Sequence, residues 1–522
     1  MDDDAHAQVP GGPEAGAAVR RLALGVLMGC FEGPSLPGWV EQDLRDGLGS
    51  LCLFGSNLTG DDAQATRLVR RVHELAPGCL VALDEEGGDV TRLDQHRGSR
   101  TVGAAVLGEA DDVSLTRQVH ADLGARLAAV GVDLDLAPVL DVSSSPDNPV
   151  IGSRSFGADA RHVARHGTAA VRGLADAGLA ACVKHFPGHG DTSADSHVAA
   201  PVVTASAGLL HERELLPFRA AVEAGAEAVM TAHVRVPALD PDRPASTSAV
   251  LTRLLREELG FQGVVVTDAL DMAGVSGPAA HGSVEAAAVA ALVAGADLLC
   301  LGADWSRDRV HAVLAAVLAA VGDGTLPQAR LAEAASRVAR LGDAARRRRA
   351  HVVTVTPQAQ AAAAARVTRA AWEATSVSGR VPAVSGAVVV RLLDRANAAV
   401  GEVPWGLLEL VPDALPGATG VDADPGTDPG AVLARAGGRA LVVLARDTHR
   451  SPAVRAWLQR VVAERPDTVL VDLGWPSLTT PVPPRGALVR TRGASPASVR
   501  AVADLLAGAE APPGDPGGAP GQ

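Results

Sequence analysis

The sequence predicts an α/β protein in which a (β/α)8 TIM-type barrel is followed by a smaller α/β sandwich domain. Three observations carry this. Eight short apolar runs alternate with alanine-rich helical stretches through the first two thirds of the chain, the pattern of a parallel barrel. Most of these runs are followed at once by polar or glycine-rich segments, as the strands of a barrel are at its catalytic face. A second set of apolar runs begins beyond the arginine tetrad Arg346-Arg347-Arg348-Arg349.

In chain order the strand candidates are Leu22 to Cys30, Leu51 to Phe54, Leu80 to Leu83, Val132 to Leu140, Leu179 to Val183, Ala228 to Ala232, Gly263 to Val266 and Asp297 to Leu301. Helical patterns fill the intervals at Ala63 to Leu75, Leu115 to Val130, Ala160 to Ala177, Leu209 to Ala224 and Ser283 to Ala294. An open doubly wound sheet would need a Gly-x-Gly-x-x-Gly phosphate turn early in the chain, and Gly87-Gly88 lacks that spacing. The arginine tetrad reads as the end of a helix, where cations favour the negative end of the dipole, and as a domain boundary. Beyond it, Val388 to Leu392, Leu441 to Leu444 and Val469 to Val471 read as buried strands, with Pro412 to Gly430 among the Pro- and Gly-rich separators. The expected organisation is a flexible end at 1–20, a catalytic barrel at 21–345, a linker and connecting helix at 346–380, an α/β domain at 381–510 and a disordered tail at 511–522.

Composition narrows the function. A formal charge of −13 over 522 residues argues against a nucleic-acid binder, which needs a basic surface to displace counterions. The acidic start Met1-Asp2-Asp3-Asp4 is the opposite of a secretory signal, and no apolar run reaches membrane-spanning length. A cytoplasmic protein without membrane partners is expected, a monomer or weak oligomer. The five cysteines are widely spaced within apolar runs and read as buried thiols.

Chemistry is densest at Lys184-His185-Phe186-Pro187-Gly188-His189-Gly190-Asp191-Thr192-Ser193-Ala194-Asp195-Ser196-His197. Pro187, Gly188 and Gly190 forbid a regular helix and make the stretch a shaped loop at a strand end. Within it, Asp195 two residues before His197 can bond one ring nitrogen, fix the tautomer and raise the basicity of the other. Such a pair can donate and recover a proton near neutral pH. Val266-Thr267-Asp268-Ala269-Leu270-Asp271-Met272 places Asp268 at the mouth of the seventh strand, where a carboxylate can attack an electrophilic carbon or cap a helix.

These two motifs, with Asp84-Glu85-Glu86-Gly87-Gly88, Ala137-Pro138-Val139-Leu140-Asp141-Val142, Ile151-Gly152-Ser153-Arg154-Ser155-Phe156-Gly157 and Met230-Thr231-Ala232-His233-Val234, resemble the β-N-acetylglucosaminidases of glycoside hydrolase family 3, the NagZ-like branch. The resemblance covers nearly the whole first domain. It implies a retaining mechanism with Asp268 as nucleophile and His197, oriented by Asp195, as acid and base. It also implies a sugar subsite built from Asp84, Arg92, Arg154, Lys184 and His185, with Met230 and His233 as further substrate-binding residues. Carboxylate, guanidinium and ammonium groups suit sugar hydroxyls because they form paired, directional hydrogen bonds. One position departs from the family pattern, which often has arginine after the paired glycines; this chain has Asp89, and no sugar contact is carried over to it.

The implied partner is a small carbohydrate carrying terminal N-acetylglucosamine, a muropeptide or chitooligosaccharide, with no cofactor and no metal ion. Inorganic phosphate is the alternative acceptor, because His197 is uncharged after giving up its proton and repels phosphate less than a carboxylate would. A family 3 β-glucosidase and a non-catalytic sugar-binding protein are the other readings on this scaffold. A metal-dependent hydrolase using His185, His189 and His197 would need further ligands at other strand ends, commonly a His-x-His on the first strand. The first strand here ends Gly29-Cys30-Phe31-Glu32.

Overall fold

The computed structural model of the protein describes residues 13–192, 201–277, 282–303, 306–351, 355–382, 384–394, 399–476 and 480–509. The chain forms two compact units, the first made of residues 1–86, 116–151 and 157–355, the second of 87–115, 152–156 and 356–522. The second unit therefore takes two segments from within the stretch expected to be barrel.

In the first unit, eight parallel strands close a barrel: β1 (Leu27–Gly29), β2 (Ser50–Cys52), β3 (Leu80–Leu83), β4 (Leu134–Asp135), β5 (Ala180–Phe186), β6 (Ala228–Thr231), β7 (Val264–Thr267) and β8 (Leu299–Cys300). They lie in chain order with β8 beside β1, and a parallel bridge between Val266 and Leu298 joins β7 to the last strand. Alternate residues point inward, so Leu80 and Ala82, Ala180 and Cys182, Ala228 and Met230, and Val264 and Val266 form one buried cluster.

The helix Gln328–Arg349 adds Val338, Leu341 and Ala345 to that cluster. Their spacing is one face of a helix, and it seals the N-terminal end of the barrel. At the same end, acids placed just before strands bind this helix. Asp297, fully buried, accepts the backbone N–H of Val265 at 3.0 Å and pairs with Arg256, Arg330 and Arg337. Asp133 accepts the N–H of Val81 at 2.9 Å and pairs with Arg349, while Arg348 reaches Glu227. The arginine tetrad thus does more than favour a helix dipole, since two of its members clamp the barrel floor.

Several expected boundaries move. Leu22 to Gly25, expected at the start of the first strand, belong to the helix Pro13–Gly25, which also replaces the flexible end over 13–20. The fourth strand is two residues long, and the fifth runs on through Lys184 and His185 to Phe186. The helical pattern at 209–224 contains a five-residue π segment, Leu210–Glu214. The disordered tail expected at 511–522 lies outside the described residues. All five cysteines are buried and free. Among the described residues no helix is long and apolar enough to cross a membrane.

The second unit contains a six-stranded sheet: β9 (Ser376–Gly379), β10 (Val388–Leu392), β11 (Thr419–Ala423), β12 (Leu441–Ala445), β13 (Val469–Asp472) and β14 (Ala487–Arg490). The order is β9-β14-β13-β12-β10-β11, parallel except for β9 against β14. Successive residues of β12 enter opposite cores, Val442 and Leu444 on one face, Leu441, Val443 and Ala445 on the other. Helices cover both faces, as in doubly wound folds. β11 lies inside the Pro412 to Gly430 stretch expected to be a separator. It is a polar edge strand, so it lacks the apolar run that marks its neighbours.

Asp297→Ala should be among the most destabilising single changes in the barrel. It leaves three arginines and a backbone N–H without their buried acceptor, a loss on the order of 3–5 kcal/mol. Chemical denaturation should place its midpoint well below that of wild type; a midpoint within error of wild type would mean the clamp carries no load.

Candidate active site

All eight barrel strands run in one direction, so their carboxyl ends share one face, where Asp84, Asp141, Lys184, His185, His189 and Asp268 lie. Lys184 leads this arrangement. Its ammonium is 2.6 Å from Asp84 Oδ1 and 2.8 Å from Glu86 Oε1, with the side chain 2% exposed. One buried cation thus faces two carboxylates, which hold it in place and leave the trio acidic in balance. Beneath them the N–H of Glu85 donates to Asp135 Oδ1 at 3.1 Å. Burial above all pushes the Asp135 carboxyl well above its ordinary range, and the charge of Glu85 adds to it.

Asp141 organises the turn after β5. Its Oδ2 accepts from Nδ1 of His185 at 2.7 Å, and its Oδ1 accepts the backbone N–H groups of His185 at 3.3 Å and His189 at 2.6 Å. The carboxylate is fully buried. Burial alone would raise its pKa, but His185 and the other donors outweigh it and hold Asp141 below the usual carboxylate range. Since the carboxylate accepts, His185 carries its proton on Nδ1 and turns Nε2 away from Asp141.

Beyond this turn the loop is held closely. His189 Nδ1 lies 2.9 Å from Thr192 Oγ1, and Asn148 Nδ2 donates to the carbonyls of His189 at 2.8 Å and Gly190 at 3.2 Å. A Cβ on Gly190 would fall 1.8 Å from the Val142 carbonyl oxygen, so only glycine fits. Burial drives the His189 imidazole down to about 4, which leaves it neutral at physiological pH. Asp195 and His197, the expected acid and base pair, lie outside the described residues.

Asp268 follows β7 and is half-buried. Its N–H donates to the Thr231 carbonyl at 3.0 Å, and its Oδ1 accepts from the N–H of Ala269 at 2.8 Å. It is near enough to His189 to bias that ring electrostatically. His233 stands behind it. Nε2 of His233 donates to the Ala269 carbonyl at 2.9 Å, so Nδ1 accepts from Ser246 Oγ at 2.7 Å. Both nitrogens of this fully buried ring are thereby committed within the protein. His233, expected beside the sugar, braces the residue after Asp268. Met230, expected in the same place, is part of the apolar barrel interior.

Arg92 and Arg154 belong to the second compact unit. Arg92 donates through Nη2 to the Ala399 carbonyl at 3.1 Å. Arg154 is buried and ends the short 3-10 turn Gly152–Arg154. Asp89 is also in this unit and bonds Ser153 and Ala494, so its departure from the family pattern has a structural partner set.

Glu214 escaped the sequence reading. It is buried in the π segment, pairs with Arg213 at 2.5 Å, and directs Oε2 at Gly188, where a Cβ would be 2.8 Å away. Arg213 in turn holds Asp191 at 2.6 Å. The signal was available: Leu210, Glu214 and Phe218 fall at four-residue spacing on one apolar stripe, so an acid there has to be buried.

Comparison with known proteins gives a consistent family. The model of the glycosyl hydrolase family 3 N-terminal domain matches residues 40–341. A curated beta-hexosaminidase of Thiobacillus denitrificans is 38% identical over 353 residues, covering 62% of this chain and 95% of that protein. Beta-hexosaminidase A of Pseudoalteromonas piscicida is 36% identical over 263 residues; the match spans 46% of this chain but only 44% of the length of that relative. Among solved structures, the glycoside hydrolase family 3 beta-N-acetylglucosaminidase of Paenibacillus sp. str. FPU-7 superposes with a TM-score of 0.82 at 31% identity, covering 94% of this chain and 96% of that one.

Burial lifts the Glu214 carboxyl to about 7, against the opposing pull of Arg213. The folded value lies above the unfolded one, so the associated stability is complete below the ordinary carboxylate range and is lost as pH rises through about 7. Glu214→Gln should therefore raise the melting temperature relative to wild type more at pH 8 than at pH 5. Equal shifts at both pH values would show that no buried charge is being relieved.

Proposed function

This chain belongs to glycosyl hydrolase family 3, and from that premise we propose that it is a retaining exo-β-N-acetylglucosaminidase. Its substrates are glycosides ending in N-acetylglucosamine, such as muropeptides or chitooligosaccharides. The observation that carries the reading is the joint placement of Lys184, Asp84 and His185 with Asp268 at the carboxyl ends of the same barrel.

In the proposed reaction Asp268 attacks the anomeric carbon and forms a glycosyl ester, while the leaving oxygen takes a proton from His197. The neutral His197 then removes a proton from water, which opens the ester and returns the sugar with its original anomeric configuration. Asp195 holds the imidazole in the productive tautomer. Lys184, pinned between Asp84 and Glu86, offers fixed donors to the sugar hydroxyls, and Asp84 accepts from them. His185 presents Nε2 from a ring that Asp141 prevents from turning. Arg92 and Arg154 complete the set of sugar ligands. The peptide N–H of Ala269 orients the Asp268 carboxylate, and His233 steadies that peptide from behind.

Product analysis tests this. The wild type should release free N-acetylglucosamine from 4-nitrophenyl N-acetyl-β-glucosaminide in buffer with or without phosphate, with little turnover of the matching glucoside. Sugar 1-phosphate as the main product in phosphate would make it a phosphorylase. Asp268→Asn should lower kcat by at least about a thousandfold, since the ester can no longer form; wild-type turnover by that variant would remove Asp268 from the nucleophile role.

A further inference from the structure

The departure at Asp89 has a definite local setting, contained wholly within the second compact unit. Asp89 is 6% exposed. Its Oδ2 accepts from Ser153 Oγ at 2.6 Å, its Oδ1 accepts the N–H of Ala494 at 2.9 Å, and Arg446 Nη2 lies 3.3 Å from Oδ1. Arg446 directly follows β12, Ala494 lies four residues beyond β14, and Ser153 is the neighbour of Arg154. The segment bearing Asp89 has no slack, because a Cβ on Gly88 would fall 2.4 Å from the backbone nitrogen of Gly103. Arginine at position 89 would put a second cation against Arg446 and leave Ser153 and Ala494 with a donor where they need an acceptor.

We propose that Asp89 is a positioning residue that fixes the Gly152–Phe156 turn, and with it Arg154, against the strand ends of the C-terminal domain. This rests on the reading of Arg154 as a sugar ligand. A single buried carboxylate is suited to the task because it accepts from a hydroxyl and a peptide N–H while its charge faces a guanidinium, which an amide cannot match without presenting a donor to one of them. Arg446 is charged throughout: burial opposes its charge, but Asp89 more than restores it and raises its pKa.

The test is a double-mutant cycle on turnover of 4-nitrophenyl N-acetyl-β-glucosaminide, with melting temperature followed in parallel. Asp89→Ala should raise KM roughly tenfold with kcat within about twofold of wild type, and Asp89→Asn, which keeps an acceptor for Ser153, should recover much of the loss. In an Arg154→Ala background, Asp89→Ala should add little further, because both act through one guanidinium. Independent, additive effects, or a fall in kcat that tracks the melting temperature, would overturn the positioning role and leave the sugar contact of Arg154 standing. An unchanged KM for Arg154→Ala alone would remove that contact and the positioning role together, while wild-type turnover in the same assay tests the hydrolase reading separately.

Discussion

The face of the barrel that carries chemistry depends on Asp141, an ionised carboxylate with no exposed surface. A charge in that position is tolerable only if donors surround it, and the donors it recruits lie at the end of β5 and in the turn after it. It takes the ring of His185 and the peptide N–H groups of His185 and His189. The end of β5 and the turn after it are therefore shaped around one anion. The close fit of Gly190 on the Val142 carbonyl and the bonds from Asn148 extend that rigidity to Thr192. Lys184, one residue before His185, inherits its direction from the same strand end.

The two ends of the barrel handle charge in opposite ways. At the floor, one buried aspartate meets three arginines, two of them on the last barrel helix, Arg330 and Arg337, and the third, Arg256, on the segment before β7. At the carboxyl ends of the strands, one lysine meets two carboxylates, and Asp268 accepts from the adjacent peptide N–H of Ala269. The first arrangement consumes its charges in stability. The second gathers carboxylates, an ammonium and imidazoles at the strand ends, the group types that form directional hydrogen bonds with hydroxyls. This division follows the common rule for such barrels, in which stability sits at the N-terminal face and reactivity at the other.

The second unit shows that a compact domain need not be contiguous in sequence. Residues 87–115 and 152–156 leave the barrel strands yet gather with the C-terminal sheet, and the bonds of Asp89 and Arg92 show how. Arg92 and Arg154 are consequently held by a domain whose own strands lie hundreds of residues later. Sequence periodicity could not reveal this, because it reports which face of a strand is buried and not which core buries it.

What the sequence determined by itself was the barrel, the order of its strands, the buried thiols and the motifs that mark Lys184, His185 and Asp268, because period-two apolar runs and strand-end polar residues are local signals. Three kinds of information waited for tertiary structure. The edge strand Thr419–Ala423 is too polar to announce itself, since half-exposed strands need few apolar residues. The partners of His233 and Met230, Ser246 and the Ala269 carbonyl for one and the barrel interior for the other, are distant in the chain. The partners of Asp89 and Glu214 likewise come from separate segments. A side chain's type is written in the sequence; whether its hydrogen bonds are spent inside the protein or left for a ligand is decided only when the chain closes around it.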